Sequence, residues 1–254
     1  MIPAERQRTI LSLLSHREVL SISDLTEHLK VSHMTIRRDI AKLESSGKVI
    51  SVSGGAQLAQ ALHVELSHND KIEQQAHEKI HIGKIAIGLI EQNATIYLDA
   101  GTTALEIAHQ IADRADLLVI TNDFSISNFL MNNGQCDLYH TGGRVDRENQ
   151  SAIGGKVAEF LKGMNIDVAF ISSSSWSMKG LSTPNENKVQ VKQAIAQAAQ
   201  LSYLISDATK YGRIASFHAL DIEQLNGIIT DKNLPSNVVQ DLLDKGLNVY
   251  TDIL

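Results

Sequence analysis

A chain of 254 residues with 43% hydrophobic content can bury a sizeable core, and its length has room for two domains. The net charge of −6 is unevenly spread: residues 1–56 hold 8 Lys+Arg against 6 Asp+Glu, and residues 57–254 hold 15 against 23. The single cysteine, Cys136, excludes an intramolecular disulfide framework, and the absence of a leader-like start or a long apolar run points to a soluble, cytoplasmic protein with a mildly basic head.

Three helices are predicted in the head. Pro3 to Leu14 carries Ile10, Leu11 and Leu14 on one face, with proline at an early position where its missing N–H costs nothing. Ser23 is predicted to cap a second helix bearing Leu25 and Leu29, and Ser32 a third that stops at Gly47. "KVISVSGGA" then reads as a short β-ribbon. Residues 1–57 are expected to form the head, 58–76 a linker without clear periodicity, and 77–254 a second domain. A helix is predicted from about Lys71 to Ile90. Beyond it, "TIYLDA", "LLVITN", "CDLYHTGG", "VAFISSS", "YLISDA", "GIITD" and "LNVY" alternate with helical segments, which indicates a largely parallel sheet buried on both faces.

In the third helix, an advance of about 100° per residue puts Ile36, Ile40 and Leu43 in one narrow, buried sector. Arg38 and Met34 point away from it, with Thr35, Arg37 and Lys42 on the flanks. Two short helices joined by a tight turn match helix-turn-helix geometry, in which the second helix enters the major groove and its polar residues reach bases and phosphates. The bland alternative is a surface helix whose arginines are solvated or paired with Asp39 and Glu44.

The run "HLKVSHMTIRRDIAKLESSGKVISVSGGA" resembles the winged helix-turn-helix head of the DeoR family of bacterial transcription regulators. Ser32, Thr35-Ile36-Arg37-Arg38-Asp39, Ile40, Leu43, Glu44, Gly47 and Gly54-Gly55-Ala56 carry the resemblance. It points to Ser32, His33, Thr35, Arg37, Arg38 and Lys42 as the DNA-contacting set. Ser51 and Ser53 stand where relatives usually have a basic residue and often a histidine, so the wing is expected to contribute less charge to phosphate contact.

In the second domain, polar loops follow the strand-like runs. "YLDAGTT" supplies Asp99, Gly101, Thr102 and Thr103 at a strand end that opens a helix, suited to phosphate. "ITND" supplies Thr121, Asn122 and Asp123, "HTGGRVD" supplies Gly142, Gly143 and Arg144, and "SDATKYG" supplies Asp207 and Lys210. These loops resemble the DeoR effector domain, which is similar in fold to ribose-phosphate isomerases. The resemblance therefore implies an α/β protein: a winged helix-turn-helix followed by a mostly parallel, Rossmann-like effector domain. The implied effector site is Asp99, Gly101, Thr102, Thr103, Thr121, Asn122, Gly142, Gly143, Arg144, Lys188, Asp207 and Lys210. Lys188 stands where many relatives have an acidic residue, which fits either an acidic effector or drift at a surface position. Gly212 is expected to keep the Lys210 loop open, and the 71–90 helix to link the domains.

The implied function is a regulator, and more narrowly a repressor, of a carbohydrate or sugar-acid catabolic operon. Its expected partners are operator DNA, a small phosphorylated sugar or sugar-acid effector, and further copies of the chain in a homodimer or homotetramer. No cofactor, catalytic residue, metal or membrane is called for. Three other readings compete. "HEKIH" at 77–81 fits the pattern of a zinc protease helix, without a convincing third ligand. A sugar-phosphate isomerase with an appended head could use Asp99, Asp123 or Asp207 as the base. A ligand-free architectural DNA binder leaves the polar loops unexplained.

Overall fold

The computed structural model describes residues 1–17 and 19–253. The head consists of α1 (Pro3–Leu14), β1 (Leu20–Ser21), α2 (Ile22–Leu29), α3 (His33–Ser45), β2 (Val49–Val52) and β3 (Gly55–Leu58). Its core joins Ile10, Leu14, Leu25, Leu29, Ile36, Ile40 and Leu43, the spines expected of the three helices. The cap of α2 is Ser21 rather than Ser23: its hydroxyl accepts from the Asp24 N–H, and the Asp24 carboxylate accepts from the Ser21 N–H in return. β2 and β3 form the wing, and β1 adds to the outer side of β3.

The chain continues through β4 (Gln60–Leu62), α4 (His68–Ile72) and α5 (Ala76–Ile87). The single helix expected from about 71 to 90 is thus two, broken where Gln75 takes the left-handed conformation at φ 53°. Next come β5 (Thr95–Leu98), α6 (Thr102–Gln110), β6 (Leu118–Thr121), α7 (Phe124–Asn133) and β7 (Asp137–His140). A hairpin of β8 (Arg144–Asp146) and β9 (Ser151–Ile153) leads through α8 (Gly155–Leu161) to β10 (Ile166–Ser172). The remainder is β11 (Trp176–Ser177), β12 (Gly180–Thr183), α9 (Glu186–Ala198), β13 (Ala199–Ile205), β14 (Arg213–Ala215), β15 (Phe217–Asp221), β16 (Gly227–Ile229), α10 (Ser236–Asp244) and β17 (Asn248–Tyr250).

The seven apolar runs become one seven-stranded sheet, ordered β17-β16-β13-β10-β5-β6-β7, in which every neighbouring pair is parallel. Successive side chains alternate between its faces. Ile96, Leu98, Val119, Val168 and Phe170 pack under α5, α6 and α7, whereas Tyr97, Ile120, Ala169, Ile171 and Leu204 pack under α8, α9 and α10. Burial on both faces explains why these strands read as continuous apolar runs.

Strand order also locates a site. From β5 the chain moves to β6 and β7 on one side, and from β10 it moves to β13, β16 and β17 on the other. The crevice between the carboxyl ends of β5 and β10 is therefore the topological switch point, where open α/β sheets hold ligands.

Candidate functional site

On the head, the exposed face of α3 carries His33, Arg37, Arg38 and Lys42, with Thr35 half-buried and Ser32 capping the helix by accepting from the Thr35 N–H. Asp39 and Glu44, the acidic residues that could have neutralised the arginines, are buried and bonded to other groups. Asp39 is paired with Arg6 and also accepts from the Gln7 amide at 3.0 Å. Glu44 accepts from the Ser51 N–H at 2.7 Å and the Ser51 hydroxyl at 2.6 Å. Among the described residues no ion pair engages Arg37 or Arg38, which leaves both guanidinium groups in solvent. Ser51 thus faces the recognition helix and ties the wing to it, while Ser53 stays exposed near the wing tip.

In the second domain a cavity opens at the switch point. Asp99, Gly101, Thr102 and Thr103 reach it from the β5–α6 loop, Asn122 from the end of β6, and Asp207 and Lys210 from the loop after β13. Lys188 enters from the first turn of α9. Eight of the twelve residues expected at an effector site therefore line one cavity. Thr121, Gly142, Gly143 and Arg144 do not. The Thr121 hydroxyl is buried and donates to the Leu98 carbonyl at 2.7 Å, fastening β6 to β5. Gly142 and Gly143 shape the passage from β7, the edge strand, into β8, and Arg144 is exposed there. The sheet order sets this loop two strands from the switch point.

The cavity holds more charge than the sequence motifs indicated. Lys71, Lys79, Lys188, Lys192 and Lys210 line it, against Glu65, Asp99 and Asp207. Lys192, one turn after Lys188 on α9, donates to Asp99 at 2.7 Å and to the Ser172 carbonyl at 2.5 Å. Lys71 and Lys188 both hold Glu65, at 2.8 and 2.6 Å. Burial favours a neutral Glu65, yet the Lys188 and Lys71 ammonium groups outweigh it and hold the carboxyl well below the usual range. Lys210 lies 3.8 Å from Asp207. Lys79, only 4% exposed, donates to the Lys71 carbonyl and has no carboxylate partner among the described residues. Burial, the largest influence, lowers its pKa to about 8; nearby Lys210 and Lys71 act in the same direction, against Asp207 and Glu106.

Around these cations sit hydrogen-bond donors. The N-terminus of α6 presents Thr102 and Thr103, and the backbone at Gly101, with φ 152°, passes so near that a β-carbon would stand 3.0 Å from the Ser172 hydroxyl. The Ser151 hydroxyl, fully buried on the cavity wall, and the Ser172 hydroxyl have no hydrogen-bond partner among the described residues. Surplus cations and, among the described residues, unpartnered hydroxyls give this pocket the chemistry to take an anion.

Each carboxylate considered as an isomerase base already has a structural partner. Asp99 is held by Lys192 and the Ser172 and Ala100 N–H groups. Asp123 caps α7, accepting from Ser125 and Ile126, and its other oxygen accepts from the Gly101 N–H at 3.0 Å. Burial raises its pKa to about 6. Asp207 caps the short turn 208–210 by accepting from the Thr209 N–H. In "HEKIH", His81 bonds the Thr251 carbonyl at 2.9 Å and His77 is exposed; among the described residues no trio of His, Cys, Asp or Glu is placed to hold a metal.

The head and the cavity meet at the segment after Lys210. The Tyr211 hydroxyl donates to Glu44 of α3 at 2.8 Å. Gly212, at φ 82°, lies against the wing so tightly that a β-carbon would overlap Ile50, 2.1 Å from its Cδ1. Its role is this close approach, in place of the open loop expected. β14 then pairs in parallel with β4, immediately after the wing. Ile50 shares a core with Trp176 and Tyr211, and the Trp176 indole N–H donates to Ser206 on the cavity wall at 3.1 Å. α5 instead packs on α6 and β16, and the head is met by the Tyr211–Gly212 segment and by α10, which packs on β2.

Residues 6–61 match the DeoR-like helix-turn-helix domain and residues 74–232 the DeoR C-terminal sensor domain. The chain is 52% identical to an HTH-type transcriptional regulator of Haemophilus influenzae, over 98% of each protein. It is 46% identical to the HTH-type transcriptional regulator YgbI of Escherichia coli, again over 98% of each. Ribose 5-phosphate isomerase A of Methanocaldococcus jannaschii is similar over 52% of this chain and 53% of its own, at 17% identity and a TM-score of 0.39.

Proposed function

The chain belongs to the DeoR family of transcription regulators, and from that premise we propose that it represses a carbohydrate or sugar-acid catabolic operon and is released or modulated by a phosphorylated sugar or sugar acid. The observation that carries this reading is the joint between the two sites: Lys210 lines the cation-rich cavity and Tyr211, the next residue, bonds Glu44 of the DNA-reading helix. An anion that draws on Lys210 acts on a segment already in contact with α3. It alters operator affinity to the extent that the two arrangements of this joint hold it with different affinity.

Ser32, His33, Thr35, Arg37, Arg38 and Lys42 are assigned to DNA, the arginines to phosphate or guanine edges. Asp99, Gly101, Thr102, Thr103, Asn122, Lys188, Asp207 and Lys210 are assigned to the effector site together with Lys71, Lys79 and Lys192. The commitments of Asp99, Asp123 and Asp207 favour sensing over turnover. One head spans few base pairs, so symmetric pairing of copies on two half-sites is part of the reading. No helix among the described residues is long and apolar enough to cross a membrane, and work on operator DNA assigns the protein to the cytoplasm.

The deciding experiment titrates DNA from upstream of the protein's own gene, with and without phosphorylated sugars and sugar acids, alongside an isomerase assay on the same compounds. Specific binding that a phosphorylated compound weakens, without turnover, supports the proposal; turnover without DNA binding overturns it.

A further inference from the structure

The side chain that holds Lys71 and Lys188 comes from an unusual place. Glu65 lies between β4 and α4, on the segment that leaves the head, and its neighbours point outward: Val64 is 79% exposed and Leu66 45%. Residues 64–66 make no backbone–backbone hydrogen bond among the described residues. This stretch is fastened by the Glu65 carboxylate, which takes both ammonium groups and the Ser174 hydroxyl at 2.5 Å. An ordinary structural ion pair would come from a well-packed element. Here a lone carboxylate reaches from an exposed connecting segment into a cavity where five lysines face three acids.

The rest of the cavity already suits one anion without Glu65. Among the described residues Lys79 has no carboxylate partner and the buried Ser151 hydroxyl no hydrogen-bond partner, and α6 offers its N-terminus. Lys71 and Lys188 mark a second cationic position, where a carboxylate of the chain itself is seated. We infer that Glu65 is a built-in occupant of that second position, and that the effector carries two anionic groups, a phosphate and a carboxylate, the latter displacing Glu65 from Lys71 and Lys188. The inference rests on the effector-cavity reading above and narrows it to a small phosphorylated sugar acid.

Displacement has a route to the head. Two residues separate Glu65 from β4, β4 pairs with β14, and β14 follows Tyr211 and Gly212, which touch Glu44 and Ile50. Release of Glu65 frees one side of this ribbon while the phosphate end engages Lys210 on the other. The effector thereby acts on β4 and β14, the paired strands that adjoin the Tyr211–Gly212 contact with the head.

The test is calorimetric titration of the full chain and of Glu65→Gln with three probes: 3-phosphoglycerate, which has both groups, glycerol 3-phosphate, which has only the phosphate, and inorganic phosphate. Removal of the competing carboxylate is expected to tighten 3-phosphoglycerate about tenfold while changing the other two less than about threefold. Lys188→Gln is expected to erase the preference for 3-phosphoglycerate over glycerol 3-phosphate. Should Glu65→Gln fail to fold, Glu65→Asp, with a shorter reach, is expected to shift the same ratio in the same direction. Weaker 3-phosphoglycerate binding by the Glu65 variant, or equal changes for all probes, would overturn the proposal and leave the anion cavity standing. No binding of any probe to either protein would overturn both.

Discussion

The Tyr211 hydroxyl donates to Glu44, 167 positions away, and so joins the loop of the cavity lysine Lys210 to the helix that bears Arg37 and Arg38. Burial, the dominant cause, and the Glu44 charge push the phenol far above its usual pKa, so it remains a donor at any physiological pH. Tyr211→Phe removes one buried hydrogen bond to a charged acceptor, while Glu44 keeps both bonds from Ser51. A stability loss of about 1–3 kcal/mol is expected in thermal or urea unfolding. The larger consequence is expected in regulation: the change in operator affinity caused by effector should shrink while effector affinity itself stays close to wild type. A Tyr211→Phe protein with full regulatory amplitude would show that the signal travels elsewhere.

Arg37→Ala and Arg38→Ala should weaken operator binding with unchanged circular dichroism, because both side chains are exposed and neither has an ion-pair partner among the described residues. If each meets a phosphate, the salt dependence of log K should flatten by roughly one per arginine; if either reads guanine, discrimination among operators should relax by about 1–3 kcal/mol at that base pair. Asp39→Asn should behave differently. It leaves the buried Arg6 guanidinium without its charge partner and should destabilise the head by about 3 kcal/mol.

Lys210→Ala should abolish the effector response and spare operator binding. The relevant measurement is operator affinity against glycerol 3-phosphate and 3-phosphoglycerate concentration for both proteins. An unchanged midpoint and amplitude would remove Lys210 from the site.

Anion binding should fall as pH rises through about 8, since Lys79 loses its proton there and its charge attracts the ligand. The groups facing it are Asp207, Lys210, Glu106 and Lys71. Bound anion raises the Lys79 pKa, so affinity is fully present below about 8 and declines above it. Glycerol 3-phosphate is a suitable probe, because its second ionisation, near pH 6, is complete before this window. Titrations from pH 7.5 to 9 should show the decline, and Lys79→Gln should flatten it.

Light scattering at micromolar concentration should return at least a dimer. A monomer would count against recognition of paired half-sites.

Local pattern was enough for the elements that carry a period. Ile36, Ile40 and Leu43 declared the buried face of the recognition helix, and the seven Val/Ile/Leu-rich runs became the seven parallel strands, because burial imposes spacing on a helix and apolar continuity on a doubly covered strand. Asp99, Gly101, Thr102 and Thr103 were legible because a strand end, a glycine and a helix start are contiguous. Strand order was not legible. It sets Gly142, Gly143 and Arg144 beside the edge strand, outside the cavity lining, and brings Ser172 beside Gly101. Glu65, Lys71, Lys79 and Lys192 belong to no motif that points to an anion; Lys79 lies within "HEKIH", whose pattern is that of a metal-binding helix. Their convergence depends on how distant segments pack around the sheet, and the meeting of Tyr211 with Glu44 on the packing of one domain on the other; such contacts leave no periodic trace in the chain.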